Sequence, residues 1–149
     1  MRIAYYEASF LEEVQELFMA HYNNEHYGCQ FSPEKARQYL EEITGTPRFI
    51  GFLLIDAGDK VVGAALCHER AWWQNDELHI NEFIISQNHQ QKGYGSKLLA
   101  FMQKHAKERD LAGVTLVTNT LPLANFYQKN KFSEHDIYFM YKGIEPGAS

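Results

Sequence analysis

Six consecutive residues, Gln90-Gln91-Lys92-Gly93-Tyr94-Gly95, place two glycines, a lysine and two side-chain amides where one apolar pattern stops and another begins. Before them, Glu77 to Ser86 alternates with a period of two. From Gly95 onward, Leu98, Leu99, Phe101, Met102, His105 and Ala106 recur with helical spacing. A helix start leaves backbone N–H groups without intrahelical partners, its dipole favours negative charge, and glycine lets an anion come close to the main chain. Such a turn can cradle a pyrophosphate. The same residues also suit a plain strand-to-helix connection, and composition alone leaves both readings open.

Two further residues carry chemistry. Glu82 falls inside the alternating strand, where a carboxylate is neutralised by a neighbouring cation, turned to solvent, or kept to take a proton. The pattern expects Leu78, Ile80, Glu82 and Ile84 on one face and His79, Asn81, Phe83 and Ile85 on the other. Tyr127, next to Phe126, is either a core aromatic or a proton donor, since a phenol with a pKa near about 10 is protonated at neutral pH. Glu69, Asp76, Glu77 and Glu82 surround Trp72-Trp73, and Glu25 lies in an upstream loop. Together they read as an acidic and aromatic rim for a cation, or as solvated charges beside tryptophans packed on the core.

The elements that must position these groups follow from period and punctuation. Met1 to Tyr6 reads as a first strand, and Phe10, Leu11, Val14, Leu17 and Phe18 as one face of a helix. Ser32-Pro33 opens a second helix that runs to about Thr44. Phe49–Ile55 and Lys60–Cys67 form a hairpin about Asp56-Ala57-Gly58-Asp59. After the Gly95 helix, Val114–Thr118 is expected as a buried strand, Leu121–Lys129 as a short helix, and Phe132–Tyr141 as one or two closing strands.

Glu82-Phe83-Ile84-Ile85-Ser86, then Gln90-x-x-Gly93-x-Gly95 and Leu98-Leu99, resembles the acetyl-CoA-binding segment of the GNAT family of N-acetyltransferases. Ala124 to Phe132 is similar to the same family's second signature, a helix ending in Phe/Leu-Tyr-x-Lys-x-Gly-Phe. Lys131 stands where the family has glycine, so the turn is expected to place Asn130 in the left-handed conformation. The resemblance covers Leu78 to Tyr141 and implies a single N-acetyltransferase domain over residues 1–149. Its fold would be α/β (α+β), a mixed, mostly antiparallel twisted sheet of six to seven strands flanked by about four helices. The strands around Leu78–Ser86 and Val114–Thr118 would splay apart to admit pantetheine.

By the same resemblance, acetyl-CoA is the co-substrate, and the main chain of Phe83, Ile84 and Ile85 binds the pantetheine arm. Gln90, Gln91, Lys92, Gly93, Tyr94, Gly95 and Ser96 hold the pyrophosphate, with Asn119 and Asn125 as further polar contacts. Tyr127 acts as general acid and Glu82 as the group that collects a proton. The acceptor implied is a primary amine, of a small cationic molecule or else of a protein N-terminus or lysine. A non-catalytic acyl-CoA sensor or an interaction module remains the alternative, and a homodimer is one implied arrangement.

Composition narrows the remaining classes. A net charge of -5 argues against bulk affinity for nucleic acid or anionic membrane. No apolar run approaches the roughly 18–20 residues that span a bilayer, and the N-terminus lacks a signal-peptide core, so the expectation is a cytoplasmic protein. Cys29 and Cys67 are far apart, and neither they nor His79 and His89 have metal-ligand spacing, so no metal is expected. Neither a strict Rossmann fingerprint nor a Walker loop is present.

Overall fold

The computed structural model describes residues 1–118 and 121–145, the side chain of Leu121 apart. The chain divides into two compact units, Met1–Val117 and Thr118–Ser149. The first begins with β1 (Arg2–Tyr5), a single 3-10 turn at Ala8–Phe10, α1 (Leu11–Tyr22) and α2 (Pro33–Thr44). Val14, Leu17 and Phe18, spaced by three and four, give α1 its buried stripe. Ser32 caps α2 as its sequence demands: the hydroxyl accepts from the Lys35 N–H at 3.1 Å and Pro33 opens the helix.

β2 (Phe49–Ile55) and β3 (Val61–Arg70) form the expected hairpin. The Asp56 carboxylate closes the turn by accepting from the N–H groups of Gly58 and Lys60, both at 2.9 Å. β4 (Glu77–Ile85), α3 (Tyr94–Glu108) and β5 (Gly113–Thr115) complete the unit. The strands lie in the order β1-β2-β3-β4-β5, antiparallel throughout except for the parallel pair β4–β5. α1 and α2 cover one face, where Val14, Phe18, Leu40, Leu53, Leu66 and Ile84 form the core. α3 covers the other, with Phe101 and His105 against Phe52 at 6.0 and 5.3 Å between ring centres.

One irregularity decides where the polar side chains go. Leu66 pairs with Glu82 but Cys67 pairs with Ile80, so Asn81 is an extra residue in β4. Burial along β4 alternates as the sequence pattern expects. The bulge nevertheless exchanges the faces: Glu82 and Ile84 lie with Leu66 on the α1/α2 side, while Leu78 and Ile80 move to the α3 side. His79 and Asn81 join Glu82 instead of opposing it, and both meet His68 on that face. The plain alternation inferred from sequence is corrected by this one inserted residue.

The described sheet has five strands instead of six to seven. Gly113–Thr115 is shorter and less buried than the expected Val114–Thr118 strand, and Val117 is exposed. In the second unit, α4 (Leu121–Lys129) forms as expected, but no strand follows it among the described residues. Ile137 to Tyr141 stand exposed with no ladder, since a β-favouring run becomes a strand only when a neighbouring edge takes up its hydrogen bonds. Lys131, not Asn130, takes the left-handed conformation, with φ at 74°, while the Asn130 amide donates to the Phe126 carbonyl at 3.0 Å. Among the described residues no helix is long and apolar enough to cross a membrane.

Candidate active site

β4 and β5 pair only as far as His79↔Thr115, while β4 runs on for six more residues to Ile85. The ladder therefore ends midway along β4, where β5 itself ends. Phe83, Ile84 and Ile85 lie on the stretch of β4 beyond that point. The chain then makes one 3-10 turn, Gln87–His89, and enters the glycine turn.

Two left-handed residues shape that turn, Gln91 with φ at 59° and Gly93 with φ at 83°. Gly93 is the N-cap of α3 and offers no side-chain acceptor. The first intrahelical bond from this cap runs from the Lys97 N–H to the Gly93 carbonyl at 3.0 Å, so the amides of Tyr94 and Gly95 lie in the turn whose N–H groups an α-helix leaves open. A side chain at Gly93 would meet nothing within 4 Å, so backbone conformation and not crowding by the protein requires glycine. The open space beside it suits an anion. Lys92 is exposed, whereas the Gln90 side chain folds back to donate to the Ile85 carbonyl at 3.0 Å and ties the turn to the strand end.

Glu82 is buried, with 9% of its surface exposed. No cation pairs with it among the described residues; instead Tyr22 donates to one carboxylate oxygen at 2.7 Å and Tyr39 to the other at 2.5 Å. Burial raises the Glu82 carboxyl above its ordinary range, and the Tyr39 and Tyr22 hydrogen bonds pull it part of the way back. Burial and the nearby carboxylate push both phenols well above their ordinary range, so both remain donors.

Neither tyrosine is singled out by sequence reasoning. Their signal is faint but present: Tyr22 follows Val14 and Phe18 at intervals of four, and Tyr39 follows Ala36 by three. Each is thus a hydroxyl on a core-facing stripe, and a carboxylate inside a strand needs such donors.

Three other acids of the expected rim are neutralised, while Glu25 is exposed. Glu69 pairs with Arg109 at 3.0 Å, Asp76 with Arg48 at 2.5 Å and Glu77 with Arg70 at 3.4 Å. Trp72 and Trp73 are exposed and not packed on the core. Beside Glu82 on the sheet, the Asn81 amide lies 2.9 Å from His68 Nδ1, and His79 Nδ1 lies 2.8 Å from the Thr115 hydroxyl. Burial, with Arg70 and His68 nearby, lowers His79 to about 4, so its ring is neutral at pH 7. Cys67 is buried and Cys29 half-buried, both as free thiols.

Tyr127 and Asn125 belong to the second unit, on α4. Tyr127 is buried, its ring 5.1 Å from Phe126 and 5.5 Å from Phe132, and Asn125 is exposed. Ser96 sits half-buried in the first turn of α3. Asn119 lies outside the described residues.

Residues 11–132 match a family model described as the acetyltransferase (GNAT) family. A streptothricin acetyltransferase from Escherichia coli is 37% identical over 71 residues, which cover 46% of this chain and 41% of that relative. The chain thus spans less than half the length of that curated relative. A probable acetyltransferase of known structure shares the fold with a TM-score of 0.78 at 17% identity, covering 99% of both chains. An aminoglycoside N-acetyltransferase in complex with CoA gives a TM-score of 0.74 at 15% identity, over 95% of this chain and 93% of that one.

Proposed function

We propose, for a chain that belongs to the acetyltransferase (GNAT) family, that it transfers the acetyl group of acetyl-CoA to a primary amine of a small cationic molecule by direct attack in a ternary complex. The observation that carries this reading is the end of the β4–β5 ladder at His79, beyond which β4 runs on and leads through one 3-10 turn into a glycine turn that no side chain caps. Main-chain groups of Phe83, Ile84 and Ile85 take the pantetheine arm, and the amides from Gln91 to Ser96 take the pyrophosphate. Lys92 adds charge at the rim, and Gln90 holds the turn. Asn125 and Asn119 are assigned to the cofactor by the family pattern alone.

An alkylammonium with a pKa near about 10.4 must lose a proton before it can attack. Glu82 takes that proton, and the neutral amine forms a bond to the thioester carbonyl carbon. The C–S bond then breaks as Tyr127 donates its phenolic proton to the thiolate, and the surplus proton on the new amide nitrogen replaces the one lost. A cationic acceptor is supported by Glu82, the buried member of the expected acidic rim that has no arginine partner among the described residues, and by the names of the streptothricin and aminoglycoside relatives.

An acetyl-CoA-coupled screen of aminoglycosides, streptothricin-type antibiotics, polyamines and peptides tests the assignment. Turnover of a small polycationic amine, lost in Tyr127→Phe, is expected. Acetyl-CoA binding without acetylation of any amine would replace the enzyme with a sensor.

A further inference from the structure

A carboxylate almost withdrawn from water is retained only if a cation or hydrogen bonds offset its lost hydration. At Glu82, which pairs with no cation among the described residues, each carboxylate oxygen receives one phenol, Tyr22 from the last residue of α1 and Tyr39 from the interior of α2. Both rings are themselves fixed. Phe18 lies 4.8 Å from Tyr22 and is stacked 5.2 Å from Tyr39, and Phe31 lies 6.3 Å from the one and 6.1 Å from the other. The two hydroxyls thus reach Glu82 from separate helices through one shared aromatic support.

We propose that Tyr22 and Tyr39 are positioning residues that clamp Glu82, holding its carboxylate ionised and aimed as the acceptor of the ammonium proton. The role rests on the reading above, in which Glu82 collects that proton. Among the described residues, His21 and Tyr27 pack against Tyr22. Across on β3, the partner of Glu82 is the uncharged Leu66, and the next titratable groups on that face, His68 and His79, are engaged by Asn81 and Thr115. The phenols are therefore the groups that oppose the effect of burial on Glu82. Removing one hydroxyl removes a bond to the ionised form, so the carboxylate becomes harder to ionise and the acid limb of the rate profile moves to higher pH.

The test uses Tyr22→Phe, Tyr39→Phe and the double variant, which keep the supporting rings. Two readouts are taken on the full chain: the pH dependence of acetylation, and the 13C NMR titration of the Glu82 carboxyl without substrates, assigned with Glu82→Gln. Each single variant is expected to raise the Glu82 midpoint and shift the acid limb with it, the double variant further, with acetyl-CoA affinity within about twofold of the parent because no cofactor contact is touched. A Glu82 midpoint unchanged in both single variants overturns the clamp. A midpoint that moves while the rate profile stays fixed upholds the clamp and removes Glu82 from the proton path, so failure of the functional reading is told apart from failure of the inference.

Discussion

A single carboxylate shows how much a residue's chemistry depends on its neighbours. Glu82 reads in sequence as an acid inside a strand, and cation pairing, solvent exposure and catalysis are equally open. Two phenols, with no arginine partner among the described residues, give it an identity that residue type alone could not. At this scale Glu82→Gln is expected to lower kcat by roughly 10² to 10⁴, the usual worth of general base catalysis. Calorimetric affinity for acetyl-CoA should be unchanged. An unaltered kcat would place the proton acceptor elsewhere, in bulk water or on another side chain.

At the scale of elements, the glycine turn and the β4 bulge do the positioning. Gly93→Val forces a β-branched residue into φ near 83°, a conformation that costs roughly 1–2 kcal/mol for an L-residue, and adds bulk where the protein itself leaves room. The expected outcome is acetyl-CoA affinity at least about tenfold weaker, with stability reduced by only about that strain. Unchanged calorimetric affinity would place the diphosphate elsewhere.

Deleting Asn81 tests the bulge. With the extra residue gone, Ile80 and Glu82 become neighbours that still oppose Cys67 and Leu66, so a regular ladder keeps Glu82 beside Tyr22 and Tyr39 and leaves Leu78 and Ile80 on the α3 side. Retained turnover is the expected signature, with thermal stability changed only by loss of the Asn81–His68 contact. Loss of turnover well beyond the loss of thermal stability would mean that the bulge does more than set the two faces.

Across the whole molecule, stability should carry the mark of a histidine kept neutral in the folded state. His79 falls from an ordinary value of 6.5 to about 4, mainly through burial. The unfolded chain therefore binds a proton that the native protein refuses between those two values, and stability declines as the pH drops through that window. His79→Gln should lose this part of the acid destabilisation, seen as a flatter dependence of the urea midpoint on pH between about 6.5 and 4. A slope identical to the parent's would mean that the ring is protonated in both states.

The amino-acid sequence by itself determined local matters: the Ser32-Pro33 start of α2, the Asp56 turn, the stripe of α1, and the switch of period at Gly95 that marks the proposed cofactor loop. These are legible because each depends on residues within a turn or two of one another. Contacts distant in the chain decided the rest. The extra residue at Asn81 shows only against the register of β3, and the end of the β4–β5 ladder only once both strands are in place. The clamp on Glu82 joins residues 60 and 43 positions away, through a face that a one-residue slip would reverse. Periodicity records which side of its own element a residue occupies, whereas its partner is fixed only when elements pack.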